Sequence, residues 1–278
     1  MINWIQCSKD EDINQYVESY WFIEKEVGSN SYEFPKLNPD ARCHLILSPP
    51  DQAYQYDIKG DLTCGEGSHW LFPHHHTIEL DHRNPFVHLG IKFHVGALYS
   101  LGLGEGLSGK LDQIQSIHIA RLFESSDIKT LDLIEMARIN SDSTCDQLDS
   151  LLSSLFQKAK EDKHSELVRK ALPLLANTPI SALGDKLHCS QRTLERSFNR
   201  VTGLTLKQCQ SMNKLELLLE SLYQRDDKDI DWVEIAFEFG FSDQPHLIRH
   251  LKKQLGLTPQ NYANERGFTI DVYGGVTS

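Results

Sequence analysis

Apolar residues change their spacing about halfway along this chain. In the first part they form short continuous runs, of which CHLILS (Cys43 to Ser48) stops at two prolines. A longer run, FVHLGIKFHVG (Phe86 to Gly96), lies between turn residues, and glycines punctuate the sequence between the two runs. Short apolar runs bounded by Pro and Gly are typical of β-strands. The first part is therefore predicted to be β-rich, with antiparallel strands.

From about Gly102 the spacing becomes helical. One stripe recurs at i, i+3, i+4, i+7 and i+8, the pattern of a single helix face. The stripe consists of Leu148, Leu151, Leu152, Leu155 and Phe156. Its four leucines are candidates for dimerisation, but packing onto the chain's own sheet would bury the same face, and the sequence leaves both open. The polar segment Lys158 to Ser165 that follows is the predicted interdomain linker.

Short helices with start signals follow this segment. Each begins with a Ser, Thr or Asp whose side chain can accept hydrogen bonds from the first amide groups of the helix. The predicted caps are Thr178 (before Pro179), Ser190, Thr205 (with Gln208) and Asp231 (with Glu234).

The helical part is internally repeated. Four positions recur 52 residues later: Leu183, Leu187, Cys189 and Ser190 match Ile235, Phe239, Phe241 and Ser242. One residue is then inserted, and six positions recur 53 residues later: Leu194, Arg196, Phe198, Gly203, Leu204 and Thr205 match Leu247, Arg249, Leu251, Gly256, Leu257 and Thr258. Each copy has the order helix, turn, capped helix and glycine turn, which is the pattern of a helix-turn-helix.

The second helix of each copy has an apolar back and a polar, Arg-bearing front. Guanidinium groups on such a front can bond guanine edges in the major groove. The candidate DNA-binding residues are Arg192, Glu195, Arg196, Asn199, Arg200, Gln244, Pro245, His246, Arg249, Lys252 and Lys253. Arg200, Lys253 and the neighbouring His250 are better placed for phosphates. A merely solvated face is the alternative, and an arginine at the equivalent place in both copies argues against it.

Charge is distributed unevenly along the 278 residues, whose formal net charge is -11. Residues 1–160 hold 13 basic and 23 acidic residues, and residues 161–278 hold 15 and 16. In the nearly neutral second part, local clustering matters more than the total. Six cysteines without a Cys-x-x-Cys motif, and the absence of a signal peptide pattern or a run of ~20 apolar residues, predict a cytoplasmic protein.

Residues 165–265 resemble the DNA-binding domain of AraC/XylS-type transcriptional regulators. The resemblance rests on LGDKLHCSQRTLERSFNRVTGLTLKQC and, more closely, on VEIAFEFGFSDQPHLIRHLKKQLGLTPQNY. It implies that two recognition helices enter major-groove segments ~34 Å apart. It also implies that a long helix, here Thr205 to Tyr223, joins the two units. Double-stranded promoter or operator DNA is the expected partner, and RNA polymerase and a second copy of the chain are further expected partners.

This sequence departs from the family pattern at three places. The joining helix keeps only Lys207 and Lys214 where arginines are usual, and Leu206 stands where proline is usual. Glu195 lies on the first reading face, where a carboxylate repels phosphate unless it accepts a hydrogen bond from a cytosine amine. The first copy then reads bases less strongly, or the chain binds DNA only as a dimer, and the sequence does not rank these alternatives.

The first part resembles the N-terminal effector or oligomerisation domain of some family members, through NPDARCHLILSPP and HLGIKFHVGAL. Such domains are small, β-rich and cupin-like. Candidate effector-binding residues on the strands are Cys43, Tyr54, Tyr56, Trp70, Lys92 and His94. Most are expected to be core residues, and Lys92 either meets an acidic ligand or extends to solvent.

The histidine-rich segment HWLFPHHHTIELDH suggests a metal site, because His74 and His76 would share a strand face ahead of Glu79. The glutamate comes one residue early for the cupin pattern. We therefore favour an exposed polar turn, and predict no metal and no cofactor.

Together these patterns predict an α+β protein that is not an enzyme. Residues 1–160 are assigned to a β-rich, then helical, sensor or oligomerisation domain. Residues 161–268 are assigned to an all-α domain of two helix-turn-helix units, and residues 269–278 to a tail. The predicted function is sequence-specific DNA binding in transcription regulation, in response to a small-molecule effector. The alternatives are a metal-binding cupin-like enzyme or sensor with an appended helical module, and an interaction protein whose helical repeat no longer binds DNA.

Overall fold

A β-rich first part and an all-helical second part make up the protein in the computed structural model, as the predicted α+β class requires. The structure describes residues 2–28, 33–102, 109–123, 129–223, 225, 230–256 and 258. The predicted tail 269–278 lies outside these residues. None of the described helices is both long enough and apolar enough to cross a membrane.

Strands of the first part form two antiparallel sheets. Their bounds are β1 Ile2–Gln6, β2 Val17–Lys25, β3 Lys36–Leu37, β4 Cys43–Leu47, β5 Ala53–Ile58, β6 Asp61–Glu66, β7 His69–Leu71, β8 Ile78–Leu80, β9 Phe86–Phe93 and β10 Ile114–Ser116. The larger sheet has the order β1-β2-β9-β4-β7-β10, and the smaller sheet has the order β3-β8-β5-β6. The two long apolar runs of the sequence are thus β4 and β9, which pair in the middle of the larger sheet.

Both faces of the larger sheet are covered. One face packs against the helices of the first part, whose bounds are α1 Glu11–Asn14, α2 Ala97–Leu101, α3 Ile119–Leu122, α4 Thr130–Ile139 and α5 Ser141–Phe156. The other face packs against the smaller sheet. Gly90 of β9 allows this second packing, because a Cβ there would lie 1.8 Å from the ring of Trp21. The result is three layers: helices, six strands and four strands.

The apolar stripe of α5 faces the core beneath the helices. Leu148 and Leu152 are completely buried there, and Leu151, Leu155 and Phe156 pack against the same core while partly exposed. Packing onto the chain's own sheet accounts for the stripe. Dimerisation through these leucines stays a prediction, and Leu151 and Leu155 are the two that retain surface for it.

The second part consists of helices joined by short turns. Their bounds are α6 Lys163–Ala171, α7 Ile180–Lys186, α8 Gln191–Thr202, α9 Leu206–Tyr223, α10 Trp232–Glu238 and α11 Gln244–Leu255, with a 3-10 turn at Leu172–Leu174. Helix α6 takes up the last residues of the predicted linker and is capped by the Asp162 carboxylate.

Three of the predicted caps are confirmed. Ser190 accepts a hydrogen bond from the Thr193 amide, and Asp231 accepts from two amides of α10. Thr205 and Gln208 exchange side chain to backbone hydrogen bonds in both directions.

The cap predicted at Thr178 is wrong. Pro179 occupies the cap position and α7 begins at Ile180, without a side-chain cap. Thr178 is buried instead, and its hydroxyl accepts a hydrogen bond from Lys186 Nζ at 2.9 Å. Pro179 is therefore the N-cap residue of α7, and not the first residue of the helix after a threonine cap, as the sequence suggests.

Helix α9 joins the two halves of the helical part, as predicted for Thr205 to Tyr223. Its first turns contribute Cys209 and Met212 to the core formed with α6, α7 and α8. Its later turns contribute to the core formed with α10 and α11 through Leu215, Leu218, Leu219 and Leu222. The first of these cores also includes residues of the β-rich part, among them Ala41 and Val95.

Buried histidines make the first part sensitive to acid. Five are buried, and burial lowers the pKa of each: His44, His69, His74, His82 and His88. Burial lowers the pKa of His69 to about 4, and burial with the nearby charge of Lys25 lowers that of His82 to about 3. The unfolded chain, with histidine pKa values of ~6.5, therefore binds protons first as the pH falls.

We expect the free energy of unfolding to decrease as the pH falls from 6.5 to 4, in urea titrations at successive pH values. His69→Gln should reduce this slope, because glutamine does not titrate yet offers a polar atom to the Tyr56 hydroxyl, which lies 2.6 Å from His69 Nε2. The exposed His118 provides the control: His118→Gln should keep the wild-type slope. Identical slopes for His69→Gln and the wild type would contradict the role of His69.

Candidate nucleic-acid interface

Two helical hairpins, α7–α8 and α10–α11, share the same local geometry. In the first, the Cys189 amide donates to the Gly184 carbonyl at 2.9 Å, and in the second the Phe241 amide donates to the Ala236 carbonyl at 2.7 Å. These pairs are 52 residues apart, and the second helices begin 53 residues apart. The repeat predicted from the sequence is therefore confirmed, including the residue inserted in the second turn.

The second helix of each hairpin buries one face and exposes the other. Leu194 and Phe198 of α8 are fully buried, as are Leu247 and Leu251 of α11. Ten candidate DNA-binding residues are exposed: Arg192, Glu195, Arg196, Asn199, Arg200, Pro245, His246, Arg249, Lys252 and Lys253. The eleventh, Gln244, is half-buried. We call α8 and α11 the reading helices.

Three arginines at the centre of these faces have no partner among the residues that the structure describes. Within the described part of the chain, the guanidinium groups of Arg192, Arg196 and Arg249 form no hydrogen bond and no ion pair. They can therefore meet base edges or phosphates without first breaking an internal contact. By contrast, Glu195 accepts a hydrogen bond from Gln191 at 3.0 Å.

Arg200 is held by the first part of the chain. Its Nε donates to the Tyr99 hydroxyl at 2.9 Å, and that hydroxyl donates to the Asp162 carboxylate at 2.8 Å. The guanidinium also lies over the Tyr99 ring, 5.9 Å from its centroid. In this arrangement Arg200 would have to exchange the tyrosine for a phosphate. His250 was also predicted to be placed for phosphates. Its ring instead packs on Phe241 and is half-buried.

A cluster of five charged residues connects the first part to α9. Arg42 forms ion pairs with Glu18 of β2, with Asp40 at 3.3 Å, and with Glu216 of α9 at 2.8 Å. Lys92 Nζ lies 2.9 Å from Glu18 and 3.8 Å from Glu216. Three carboxylates thus share two cations at this contact, which we call the ion cluster.

The carboxylates of the ion cluster are not equivalent. Burial disfavours charge on Glu18, but hydrogen bonding to His94 and the charges of Arg42 and Lys92 lower its pKa well below its ordinary range. Burial raises the pKa of Glu216 to about 7, against the opposing charge of Arg42. Glu216 is therefore the one carboxylate of the cluster whose pKa lies above its ordinary value, since those of Glu18 and Asp40 are lowered.

The six candidate effector-binding residues are not brought together. Cys43 and Trp70 face the core beneath the helices, whereas Tyr54 and Tyr56 face the core between the sheets. Lys92, with 1% of its side chain exposed, belongs to the ion cluster and does not reach solvent. His94 lies beside the same cluster, with Nδ1 3.6 Å from Glu18.

A cavity of about 370 Å³ lies between the first part and the helical part. Glu18, Arg42 and His94 line it from one side, and Val201 and Asn213 line it from the other. His94 is the one predicted effector-binding residue among the residues that line this cavity.

The histidine-rich segment is engaged in structural contacts. His74 is buried, and its Nε2 lies 2.8 Å from the Asn38 carbonyl. His75 Nδ1 lies 2.6 Å from the Asp112 carboxylate. Among the described residues, no three His, Cys, Asp or Glu side chains are grouped closely enough to hold a metal ion.

Sequence patterns did not single out Arg42, Asp40, Glu18 or Glu216. Their one visible signal is a charge within an apolar context, such as Glu216 among the leucines of α9. That signal does not identify the partner, because Arg42 and Glu216 are 174 residues apart.

Comparison with known proteins supports the identity of the helical part. Residues 183–265 match the model of a family described as "Helix-turn-helix domain". Solved structures with some similarity include ToxT from Vibrio cholerae O395, at 9% identity over 90% of this chain and 97% of that chain, with a TM-score of 0.49. The C-terminal domain of AraT, a response regulator from Geobacillus stearothermophilus, is 21% identical over 40% of this chain and 93% of that chain, with a TM-score of 0.34.

A third similar structure is the DNA-binding domain of AdpA, a global transcriptional factor, in complex with a target DNA. It is 28% identical over 37% of this chain and 92% of that chain, with a TM-score of 0.30. No curated protein matches the chain in sequence. The match over residues 183–265 places the helical part among DNA-binding helix-turn-helix domains.

The ion cluster generates a prediction about pH. The pKa of Glu216, about 7 in the folded protein, lies above its ordinary value of 4.5. Folding therefore takes up a proton between these values, and the stability gained is lost as the pH rises through 7. We expect the thermal unfolding midpoint to rise between pH 8 and pH 6, and Glu216→Gln to abolish the part of this rise that Glu216 causes.

Two variants serve as controls for this measurement. Glu220→Gln changes a half-buried carboxylate of the same helix outside the cluster and should keep the wild-type profile. His94→Gln removes the imidazole that lies beside the cluster. Any part of the rise in the unfolding midpoint that persists in this variant does not come from protonation of His94. A Glu216→Gln profile identical to the wild type would exclude Glu216 as the titrating group.

Proposed function

We propose that this protein is a sequence-specific transcription regulator in which both reading helices enter the major groove of one DNA site. The proposal rests chiefly on one observation: two exposed helices with arginines at equivalent positions, Arg196 and Arg249, are attached to one continuous helix, α9. An arginine can bond the O6 and N7 atoms of guanine together, which distinguishes that base from the others.

The charges around the second reading helix support this assignment. Arg249, Lys252 and Lys253 are all exposed on α11. They provide a local positive surface although the chain as a whole is acidic. At physiological ionic strength the Debye length is ~8 Å, so nearby cations outweigh the distant acidic residues at a bound phosphate.

Two substitutions on α11 test which of its exposed residues reads a base and which binds phosphate. At a DNA site selected by the protein from a random library, Arg249→Ala should cost roughly 1–3 kcal/mol and relax the preference at one base position. Lys253→Ala should weaken binding to all sequences about equally and lower the slope of log affinity against log salt by ~1. Fluorescence anisotropy at several salt concentrations measures both effects.

Lys129→Ala is a control for this comparison, since it removes an exposed cation from the first part. Its affinity should stay near that of the wild type. If Arg249→Ala and Lys253→Ala change affinity and base preference in the same way, the assignment of Arg249 to a base and of Lys253 to phosphate is wrong. Absence of any salt-dependent binding by the wild type would refute the function itself.

We further propose that the cavity between the two parts holds a small-molecule effector. Its volume of about 370 Å³ is within the range of small-ligand sites. Arg42 lines the cavity and also pairs with Glu216 of α9, so an occupant could alter the contact that attaches the first part to the joining helix. A ligand shifts such an equilibrium only by its difference in affinity for the two arrangements.

Native mass spectrometry of the purified protein tests this second proposal. We expect a small bound molecule that is released on unfolding. Asn213→Trp should prevent its binding, because Asn213 is half-buried and lines the cavity, whereas Asn213→Ala should retain it. Equal occupancy in both variants would place the molecule elsewhere.

The same proposal includes a homodimer on DNA, contact with RNA polymerase, and the division of the chain at about residue 160. The division is supported by the two cores of the first part, whose buried members lie within residues 13–152. Sedimentation at several concentrations, with and without DNA, tests the dimer.

A further inference from the structure

The joining helix contacts the second hairpin through two polar side chains as well as through its leucines. Lys214 Nζ donates to the Gly240 carbonyl at 3.3 Å, in the turn between α10 and α11. Ser211, one turn earlier on α9, accepts a hydrogen bond from Gln254 at the other end of α11, at 2.8 Å. The two ends of the second reading helix are thus attached to neighbouring turns of α9.

The contact at Lys214 is centred on one aromatic ring. Its Nζ lies 3.6 Å from the centroid of the Phe241 ring, and Phe241 is 4% exposed. The same ring contacts two residues of α11, with ring centroids 5.2 Å away: His246 in a T-shaped arrangement and His250 in a tilted one. Phe241 therefore lies between the cation of the joining helix and the first two turns of the reading helix.

We propose that Lys214 is a positioning residue for the second reading helix. Its ammonium, seated on Phe241 and on the Gly240 carbonyl, fixes the angle of α11 to α9 and thereby the place where Arg249 meets the DNA. This inference rests on the proposed DNA-binding function and assigns a role within it that does not require Lys214 to touch the DNA.

The chemistry of the contact supports positioning. A cation over an aromatic face is attracted most strongly when it is partly removed from water. Lys214 is half-buried, and this burial lowers its pKa. Burial and the neighbouring Lys214 charge lower the pKa of His250 to about 4, so the imidazole stays neutral against Phe241 at neutral pH.

The first hairpin differs at the equivalent place. Cys189 stands where the second hairpin has Phe241, so the first turn offers no aromatic ring to a cation. A loss of the Lys214 contact should therefore disturb the second reading helix and leave the first in place. This difference between the two hairpins makes the inference testable within a single molecule.

The test compares Lys214→Met with Lys214→Arg in the full chain. Methionine keeps the length and removes the charge, whereas arginine retains a cation that can stack on Phe241. On a DNA site selected from a random library by the wild type, Lys214→Met should lower affinity roughly three- to fivefold. Hydroxyl-radical footprints should lose protection over the half of the site read by α11 and keep it over the half read by α8. Lys214→Arg should restore both.

Lys207→Met is the matched control, since it removes an exposed lysine from the first turn of the same helix. It should weaken the whole footprint uniformly or leave it unchanged. If Lys214→Met gives the same uniform pattern as Lys207→Met, Lys214 acts only as a distant charge and the inference is overturned.

Hydrogen exchange without DNA separates this inference from the proposed function. Amides of α11 should exchange faster in Lys214→Met than in the wild type, while those of α8 remain unchanged. This difference would support positioning even if the selected DNA were not bound at all. Unchanged exchange in α11 would overturn it whatever the DNA measurements show.

Discussion

The joining helix α9 is the constraint on which the helical part depends. Met212 is the last of its residues in the first core, and Leu215, one turn later, is the first of its residues in the second core. The contacts of α9 with the two cores are separated by a single turn of continuous helix. The orientation of one hairpin relative to the other is therefore set by the geometry of that helix. Because Glu216 projects from the same turn to Arg42, the first part is attached to this helix where the two cores meet.

The two hairpins are attached to the β-rich part in different ways. The first shares a core with Ala41 and Val95, and its reading helix is held through Arg200 and Tyr99. The second contacts the first part through a hydrogen bond from Thr77 to the Gln254 carbonyl, at 3.0 Å. A change in the first part therefore acts on the first hairpin directly and reaches the second chiefly through α9. A response to an effector should accordingly be unequal at the two halves of a DNA site.

Local information in the sequence predicted the helical part well. Three helix caps, and the order of helix, turn and capped helix within each copy of the repeat, depend on residues close together along the chain, and the structure has all of them. Contacts between distant segments could not be predicted. Strand alternation places Trp70 on the opposite face of the larger sheet from the core that holds Tyr56, and the sequence does not specify which face meets which layer. The pairing of Arg42 with Glu216 likewise depends on how two separately folded segments dock.

The acidic total is compatible with DNA binding because of where the charges lie. Glu18, Asp40 and Glu216 are gathered around Arg42 and Lys92 at an internal contact, where cations of the chain itself pair with them. Arg196 and Arg249 remain without internal partners in the described chain. Affinity for arbitrary DNA depends on the number of phosphates that cations neutralise, and sequence preference depends on contacts to base edges. A chain with few phosphate-binding cations, and with Arg196 and Arg249 available at equivalent positions, should therefore bind weakly to most DNA and discriminate among sequences mainly through these two arginines.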